Sequence, residues 1–357
     1  MIGVAIIGAG IGAQHLTGYL ALPERFTVKA ICDLDVERAR AVAGEGSSIR
    51  ITADLEEVLA DESISLIDVC LPPHLHFPVM LKAHAAGKDV VCEKPLVRSL
   101  EEANALMDSV KKTGRRVFPV FQYRFGPALR QLRALIDAGL AGKAYVASSE
   151  VHWNRGASYY DIPWRGTWKG ECGGAILGHA IHAHDLLCHV LGPVEQVFAM
   201  ADTRVNRIET EDCAAISFRM KSGALATSSV TLGAADDTSR LRFCFEGFTA
   251  ESGTLPYRPA EDKWHFTARA PTTQDQIDAV LATVKDGENG FTGFVEAIAN
   301  AMEGRAGKEV TITDGLQSIE LVTAIYTSVQ EGTAVRLPLT ADNERLKGWA
   351  PRASATT

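Results

Sequence analysis

Three groups of residues have the types and spacings that chemistry needs. Gly8-Ala9-Gly10-Ile11-Gly12-Ala13 follows an apolar run and opens a helical one, matching G-x-G-x-x-G/A with Ala13 in the third position. In such a turn Gly8 permits the bend and Gly10 lets a pyrophosphate approach the backbone. A small residue at 13 lets the helix pack on the strand, while the first helical amides, around Ile11 and Gly12, face the phosphates. Asp33 ends the next strand about twenty residues on, where a carboxylate accepts hydrogen bonds from an adenosine ribose. Together these features point to a dinucleotide site. Asp33 would repel a 2′-phosphate, so NAD is expected over NADP. Arg38 either covers the adenine, reaches a phosphate or is merely solvent-exposed, and it keeps NADP open.

The second group follows the fourth and fifth predicted strands: Leu71-Pro72-Pro73-His74-Leu75-His76 and Val91-Cys92-Glu93-Lys94-Pro95-Leu96. Open α/β sheets bind ligands at these strand ends. Lys94, pinned between an apolar strand and a proline, snorkels less freely than a helix-surface lysine. A fixed ammonium beside a carbinol would stabilise a developing alkoxide.

The third group is His179–Leu191, which holds His179, His182, His184, Asp185 and His189. On one continuous helix at about 100° per residue, His182, Asp185 and His189 fall within about 60° of each other; His179 lies a further ~60° away and His184 points elsewhere. Neither His-Glu-x-x-His nor a cysteine pair accompanies them, so no metal site is expected. His182, read together with Lys94 and the glycine turn, is the candidate acid–base catalyst. Asp185 either orients that imidazole or packs in the domain.

Before this helix, the stretch from Trp153 to Lys169 holds three of the five tryptophans, mixed with tyrosines and cations. Aromatic faces such as Trp153 and Trp164 suit a sugar ring, whose C–H face stacks while its hydroxyls hydrogen-bond; packing of the domain or of a subunit contact is the alternative. Arg155, Arg165 and Lys169 raise the further expectation of an anionic group on the substrate.

These groups need elements to position them. Up to about residue 121, short β-branched runs alternate with helical patterns, the signature of parallel strands joined by crossover helices. Strands are predicted at Ile2–Ile7, Val28–Cys32, Ile49–Ile51, Leu66–Cys70, Asp89–Cys92 and Arg116–Val120. Helices are predicted near Gly12–Ala21, Val36–Ala43, Leu55–Ala60, Pro78–Ala86 and Ser99–Lys112, the last opened by a Ser99/Glu102 capping box. Beyond that point a helix near Pro127–Ala138 precedes strand-like segments at Ala144–Trp153, Cys213–Met220, Ala224–Leu232 and Arg240–Glu246. Gly223 and Asp236-Asp237 mark breaks between them, and Ala353–Thr357 are expected to fray.

Composition bounds the reading. The 357 residues carry 36 Lys+Arg against 44 Asp+Glu, a net charge of −8, which argues against nucleic acid as a partner. At 46% hydrophobic the chain is long enough for two cores, yet no apolar run approaches the ~18–20 residues of a membrane helix. With no basic leader flank at the N-terminus, a cytoplasmic location is expected. The seven cysteines are scattered and form no CxxC, so reduced, buried thiols are expected.

Taken together, Gly8-x-Gly10-x-x-Ala13, Pro72 with His76, Glu93-Lys94-Pro95, Tyr123-Arg124-Phe125 and Cys172-Gly173-Gly174-Ala175 with His182-x-x-Asp185 resemble the Gfo/Idh/MocA oxidoreductases. The resemblance runs from residue 2 to about residue 338. It implies an α/β fold: a Rossmann domain over 1–121, then an α+β domain with a large, mainly antiparallel sheet over 122–357. It implies that Pro72, His76, Glu93 and Lys94 line the cofactor, that Lys94 lies near the reacting carbon with His182 facing it, and that Tyr123, Arg124 and His179 meet the substrate.

The activity implied is NAD(P)-dependent hydride transfer at a secondary carbinol of a sugar, sugar derivative or cyclic polyol, in a homodimer or homotetramer joined through the second-domain sheet. A redox-assisted glycoside hydrolase and a non-catalytic cofactor-binding regulator are the alternatives. Many members carry an aspartate four residues before this histidine; here that position is Gly178.

Overall fold

Six short strands alternate with helices along the first third of the chain: β1 (Ile2–Ile7), α1 (Gly12–Leu20), β2 (Phe26–Cys32), α2 (Val36–Ala43), β3 (Arg50–Thr52), α3 (Leu55–Ala60), β4 (Leu66–Val69), α4 (Pro73–Ala85), β5 (Asp89–Cys92), α5 (Leu100–Thr113) and β6 (Val117–Pro119). The structure is a computed structural model and describes residues 1–305, 307–340 and 343–351; Ala353–Thr357 lie outside them. The strands pair in parallel in the order β3-β2-β1-β4-β5-β6, the doubly wound arrangement whose ligand crevice opens where the order reverses, beyond β1 and β4. Helices cover both faces of such a sheet, so its strands read as unbroken apolar runs: Val4, Ile31, Leu66, Ile67, Val90 and Val91 are fully buried. Asp68 in β4 and Asp89 at the start of β5 are buried carboxylates among them, Asp68 fully so.

The later elements are α6 (Pro127–Asp137), β7 (Ala144–Asn154), α7 (Trp168–Glu171), α8 (Ala175–Gly178), α9 (Ile181–Leu191), β8 (Val194–Asp202), β9 (Cys213–Met220), β10 (Leu225–Thr231), β11 (Gly233–Phe245), β12 (Phe248–Glu251), β13 (His265–Ala268), α10 (Gln274–Leu281), α11 (Gly290–Met302), α12 (Ile312–Glu331) and β14 (Val335–Arg336). Eight strands form one sheet in the order β13-β12-β11-β7-β10-β9-β8-β14; only the β10–β7 pair is parallel. On β9 the side chains alternate, with Ala214, Ile216, Phe218 and Met220 buried and those between them exposed, as expected of a sheet with one wet face. Asp236-Asp237 does not end a strand. It lies in a register irregularity of β11 between Gly233 and Thr238, where the Asp237 carboxylate accepts the Asn154 N–H at 2.6 Å and so replaces the missing ladder partner.

By packing, Met1–Gln122 joins Phe291–Ile319 in one compact unit, and Tyr123–Gly290 joins the described residues from Glu320 onward in the other. The chain thus returns to the first unit over Phe291–Ile319. That return is held by Arg116, whose Nη1 donates to the Ala301 carbonyl at 3.0 Å, by an Arg25–Glu303 ion pair at 3.0 Å, and by Phe291 stacked on His15. No described helix is long and apolar enough to cross a membrane.

Candidate active site

The glycine turn does what its sequence requires, with one shift of position. Gly8 has φ +105°, and a Cβ there would stand 2.4 Å from the Cys70 carbonyl oxygen. The close helix–strand approach is made by Gly12, where a Cβ would meet Ile6 at 2.7 Å, and not by Ala13, which is half-buried. A Cβ on Gly10 would meet nothing within 4 Å, and Ile11 beside it is 40% exposed. This open, amide-lined turn fits a pyrophosphate.

Asp33 closes the adenosine end. Its Oδ2 accepts the Ala9 N–H at 2.6 Å, while Oδ1 accepts the Asp35 N–H and Arg38 Nη2, both at 2.8 Å. Burial pushes its pKa up, but the Ala9 and Asp35 amides and Arg38 outweigh this and hold it below the usual value. Arg38 is therefore the ion-pair partner of Asp33, with half of its side chain in solvent. Open turn and ionised carboxylate together fit NAD.

Pro72 and Pro73, read as loop, start a helix. Pro72 is the N-cap of α4 and Pro73 its first residue, where proline's missing N–H costs nothing, so His74 and His76 stand on the first turns of α4. His76 is fully buried, with Nδ1 2.8 Å from the Pro95 carbonyl and Nε2 2.7 Å from that of Leu71. It ties two loops together, and burial holds its pKa below the ordinary value despite the two carbonyls. Glu93 likewise faces inward, with Oε1 3.1 Å from His15 Nε2 and Oε2 accepting the Lys94 N–H at 3.0 Å. Its carboxylate holds the main chain at half-buried Lys94, ahead of the cis Lys94–Pro95 bond.

In the second unit the histidine segment is not one helix. His179 caps α8 and α9 starts at Ile181, so the single-helix projection fails at His179. His182 is 4% exposed and its ring stacks on Tyr123 with centroids 4.3 Å apart. Asp185 forms a bidentate ion pair with Arg124, Nε to Oδ2 at 2.8 Å and Nη2 to Oδ1 at 2.6 Å, which engages an arginine expected to meet substrate. His184 is a core histidine: it pairs with Ser228 Oγ at 3.0 Å, and burial lowers its pKa to about 4. His189 is exposed, apart from the buried His182 and Asp185.

His179 is edged by Trp153 at 5.4 Å and Tyr159 at 5.8 Å. Around these rings the cations differ. Arg155 pairs with Asp237 at 3.0 Å, donates to Tyr257 Oη at 2.9 Å and lies over the rings of Trp153, Tyr159 and Tyr257. Its charge is met within the protein. Arg165 lies 3.8 Å from the Tyr159 ring centre, and its Nε and Nη1 are buried with no hydrogen-bond partner among the described residues. Trp164 is 38% exposed beside it, and Lys169 is exposed. Asp237 and Tyr257 escaped the sequence reading. The only signal was Asp237's place in a presumed turn, while Tyr257, at φ +61°, lies about a hundred residues from Arg155.

The Cys172-Gly173-Gly174 turn before α8 presses on another missed residue, Glu211. A Cβ on Gly174 would stand 1.9 Å from the Glu211 carbonyl oxygen. The buried Glu211 side chain accepts the N–H groups of Gly174 at 3.1 Å and Ile176 at 3.0 Å and the Tyr326 hydroxyl at 2.8 Å. Burial raises its pKa to about 7 against the pull of these donors.

The strand order, the open glycine turn and the Asp33 end define a dinucleotide-binding protein. The models of two known domains match this chain: the oxidoreductase family with an NAD-binding Rossmann fold over residues 2–121, and the GFO/IDH/MocA C-terminal domain over 129–251. The chain belongs to the Gfo/Idh/MocA oxidoreductases. Similar proteins include the oxidoreductase YrbE of Bacillus subtilis, 26% identical over 93% of this chain and 95% of its own. The D-xylose 1-dehydrogenase (NADP(+)) 2 of Haloferax volcanii is 27% identical over 92% of this chain and 97% of its own. The solved WlbA dehydrogenase of Bordetella pertussis, in complex with NADH and UDP-GlcNAcA, is 28% identical with a TM-score of 0.80 over 95% of this chain and 99% of that one. These relatives lend no support to the redox-assisted hydrolase or to the non-catalytic regulator.

Proposed function

We propose that the protein transfers hydride between NAD and a secondary carbinol of a sugar, sugar derivative or cyclic polyol. The observation that carries this reading is His182, a buried imidazole stacked on Tyr123 in the unit that also holds the aromatic and cationic cluster of Trp153, Tyr159, Arg155 and Arg165. In the oxidative direction His182 takes the hydroxyl proton and the Lys94 ammonium stabilises the oxyanion that remains. NAD, when bound, supplies the carbon that accepts the hydride leaving the same carbinol, so the products are a carbonyl compound and NADH. Asp33 favours NAD over NADP.

The test is a panel of sugars, glycosides and polyols screened for NADH formation. With a confirmed substrate, Lys94→Ala and His182→Ala are each expected to lower turnover by about a hundredfold or more. Near-normal turnover in both variants would sink the assignment.

A second element of the reading is an anionic group on the substrate, received by Arg165. A buried guanidinium N–H without an acceptor costs about 1–3 kcal/mol, a cost that a bound carboxylate or phosphate oxygen removes. Neutral and acidic versions of one sugar should differ in kcat/KM in favour of the acid, and Arg165→Gln should narrow that ratio; equal efficiency with both substrates rules the idea out.

The outer face of the large sheet supports a homo-oligomer, either a dimer or a tetramer. Leu225 and Val146, paired across β10 and β7, are 46% and 48% exposed, and Phe198 and Met200, on β8 beyond β9, are 39% and 61% exposed, the kind of apolar surface that marks an interface. Light scattering that returned a monomer mass would remove this proposal.

A further inference from the structure

The first unit contains a buried ion cluster that the proposed reaction leaves unexplained. His15, in α1 just past the glycine turn, is 2% exposed, with Nδ1 2.9 Å from Asp68 Oδ2 and Nε2 3.1 Å from Glu93 Oε1. Asp68 is completely buried, and Cys70 Sγ lies 3.1 Å from the same Nδ1. Phe291 covers the ring face, its centroid 3.9 Å away.

Ionised carboxylates only accept, so a ring that hydrogen-bonds to two of them donates from both nitrogens, as the imidazolium does; a neutral ring here would require a proton on one of the two carboxyls. The groups facing the ring are Asp68 in β4, Cys70 just after it and Glu93 just after β5, and Tyr19 of α1 packs on the Phe291 that covers the ring. Burial works against the charge on His15, but Asp68 and the hydrogen bonds around it outweigh burial and hold its pKa well above the ordinary value.

The chain of contacts does not stop at Glu93. One Glu93 oxygen faces His15 and the other accepts the Lys94 N–H, so the ring is tied to the backbone of the lysine loop through a single carboxylate.

We propose that His15 is a positioning residue, an imidazolium locked between Asp68 and Glu93 that joins the dinucleotide-binding helix to the loop carrying Lys94. The consequence for turnover rests on the reading of Lys94 given above; the protonation state of His15 does not. Asp68, Cys70 and His15 also offer donor atoms within 4.8 Å of one another, a spacing that a metal ion accepts. A metal on Nδ1 would need a lone pair that the doubly protonated ring lacks, so the two occupants exclude each other.

The experiment is ¹⁵N NMR of the histidine-labelled protein, which reads the protonation of each ring nitrogen without needing a substrate. Both His15 nitrogens are expected to carry protons from pH 6 to pH 9. Asp68→Asn, which removes the charge that does most to hold the proton and keeps Glu93 as a counter-ion where His15→Gln would leave two buried carboxylates unpaired, should bring the His15 titration down into that window. A neutral His15 tautomer at pH 8 in the wild type, or one equivalent of bound metal by elemental analysis, would overturn the proposal. With a confirmed substrate, Glu93→Gln should lower kcat by about tenfold while the Kd for NAD, from calorimetry, moves by less than about threefold. A matched loss in both, or no loss in kcat, would show that the cluster does not act through Lys94. If the ring is doubly protonated and no sugar or polyol is ever oxidised, the proposed function fails and the locked imidazolium stands.

Discussion

The loop of Lys94 and the turn that leads to His182 are each held from behind by a buried carboxylate, and the two carboxylates live in different electrostatic surroundings. Glu93 takes the Lys94 N–H with one oxygen and meets the His15 ring with the other. Glu211 takes the N–H groups of Gly174 and Ile176 and the Tyr326 hydroxyl, all neutral donors. A buried charge is stable where an opposite charge offsets its lost hydration, and dipoles alone offset less. Hence His15 is held protonated well above its ordinary range, whereas burial leaves Glu211 with a pKa of about 7. The first clamp favours a charged ring above its ordinary range. The second changes its charge near neutral pH.

The largest effect that would sharpen this contrast is the pH dependence of stability. Glu211 holds its proton more tightly folded than unfolded. Its contribution is therefore complete below the ordinary glutamate value of 4.5 and is lost as pH rises through about 7, by on the order of 3 kcal/mol. Glu211→Gln should flatten that loss in melting curves taken between pH 5 and pH 8; parallel curves for variant and wild type would break the contrast. The raised pKa of His15 has the same sign but a later window, so its contribution is present below the ordinary histidine value of 6.5 and is lost only on the alkaline side.

A smaller effect is expected from Tyr326→Phe. Removing the hydroxyl that donates to Glu211 at 2.8 Å should cost about 1 kcal/mol and move the pH-dependent loss to higher pH, because that bond favours the ionised form. An unchanged profile would mean that the phenol does not hold the carboxylate. The smallest effect belongs to Gly178→Asp. A Cβ at Gly178 would meet nothing within 4 Å, so an added carboxylate should change the melting free energy by less than about 1 kcal/mol. A larger loss would show that the turn before His182 is less accommodating than its surroundings.

Local sequence carried most of the first unit. β-branched runs and helical periods repeat within short windows, and the Gly8–Ala13 turn signals itself, so strands β1 to β6 fall close to where they are read. Pro72-Pro73 misled because proline marks loops and helix starts alike. Asp236-Asp237 misled because an acidic pair looks like a turn until Asn154 and Arg155 are found bound to it. His179 looked helical because the pattern ran on from His182, whereas the chain breaks between α8 and α9.

The residue types themselves determined the chemistry available here: a glycine turn that admits phosphate, an aspartate for a ribose, a lysine fixed by proline and a histidine fit to take a proton. Whether each is presented or buried was decided only by tertiary contacts. His15 meets Asp68 and Glu93 across 53 and 78 residues, and Glu211 meets Tyr326 across 115. A side chain's charge and reach depend on its desolvation and its partners, and both are set by distant segments that no local pattern encodes.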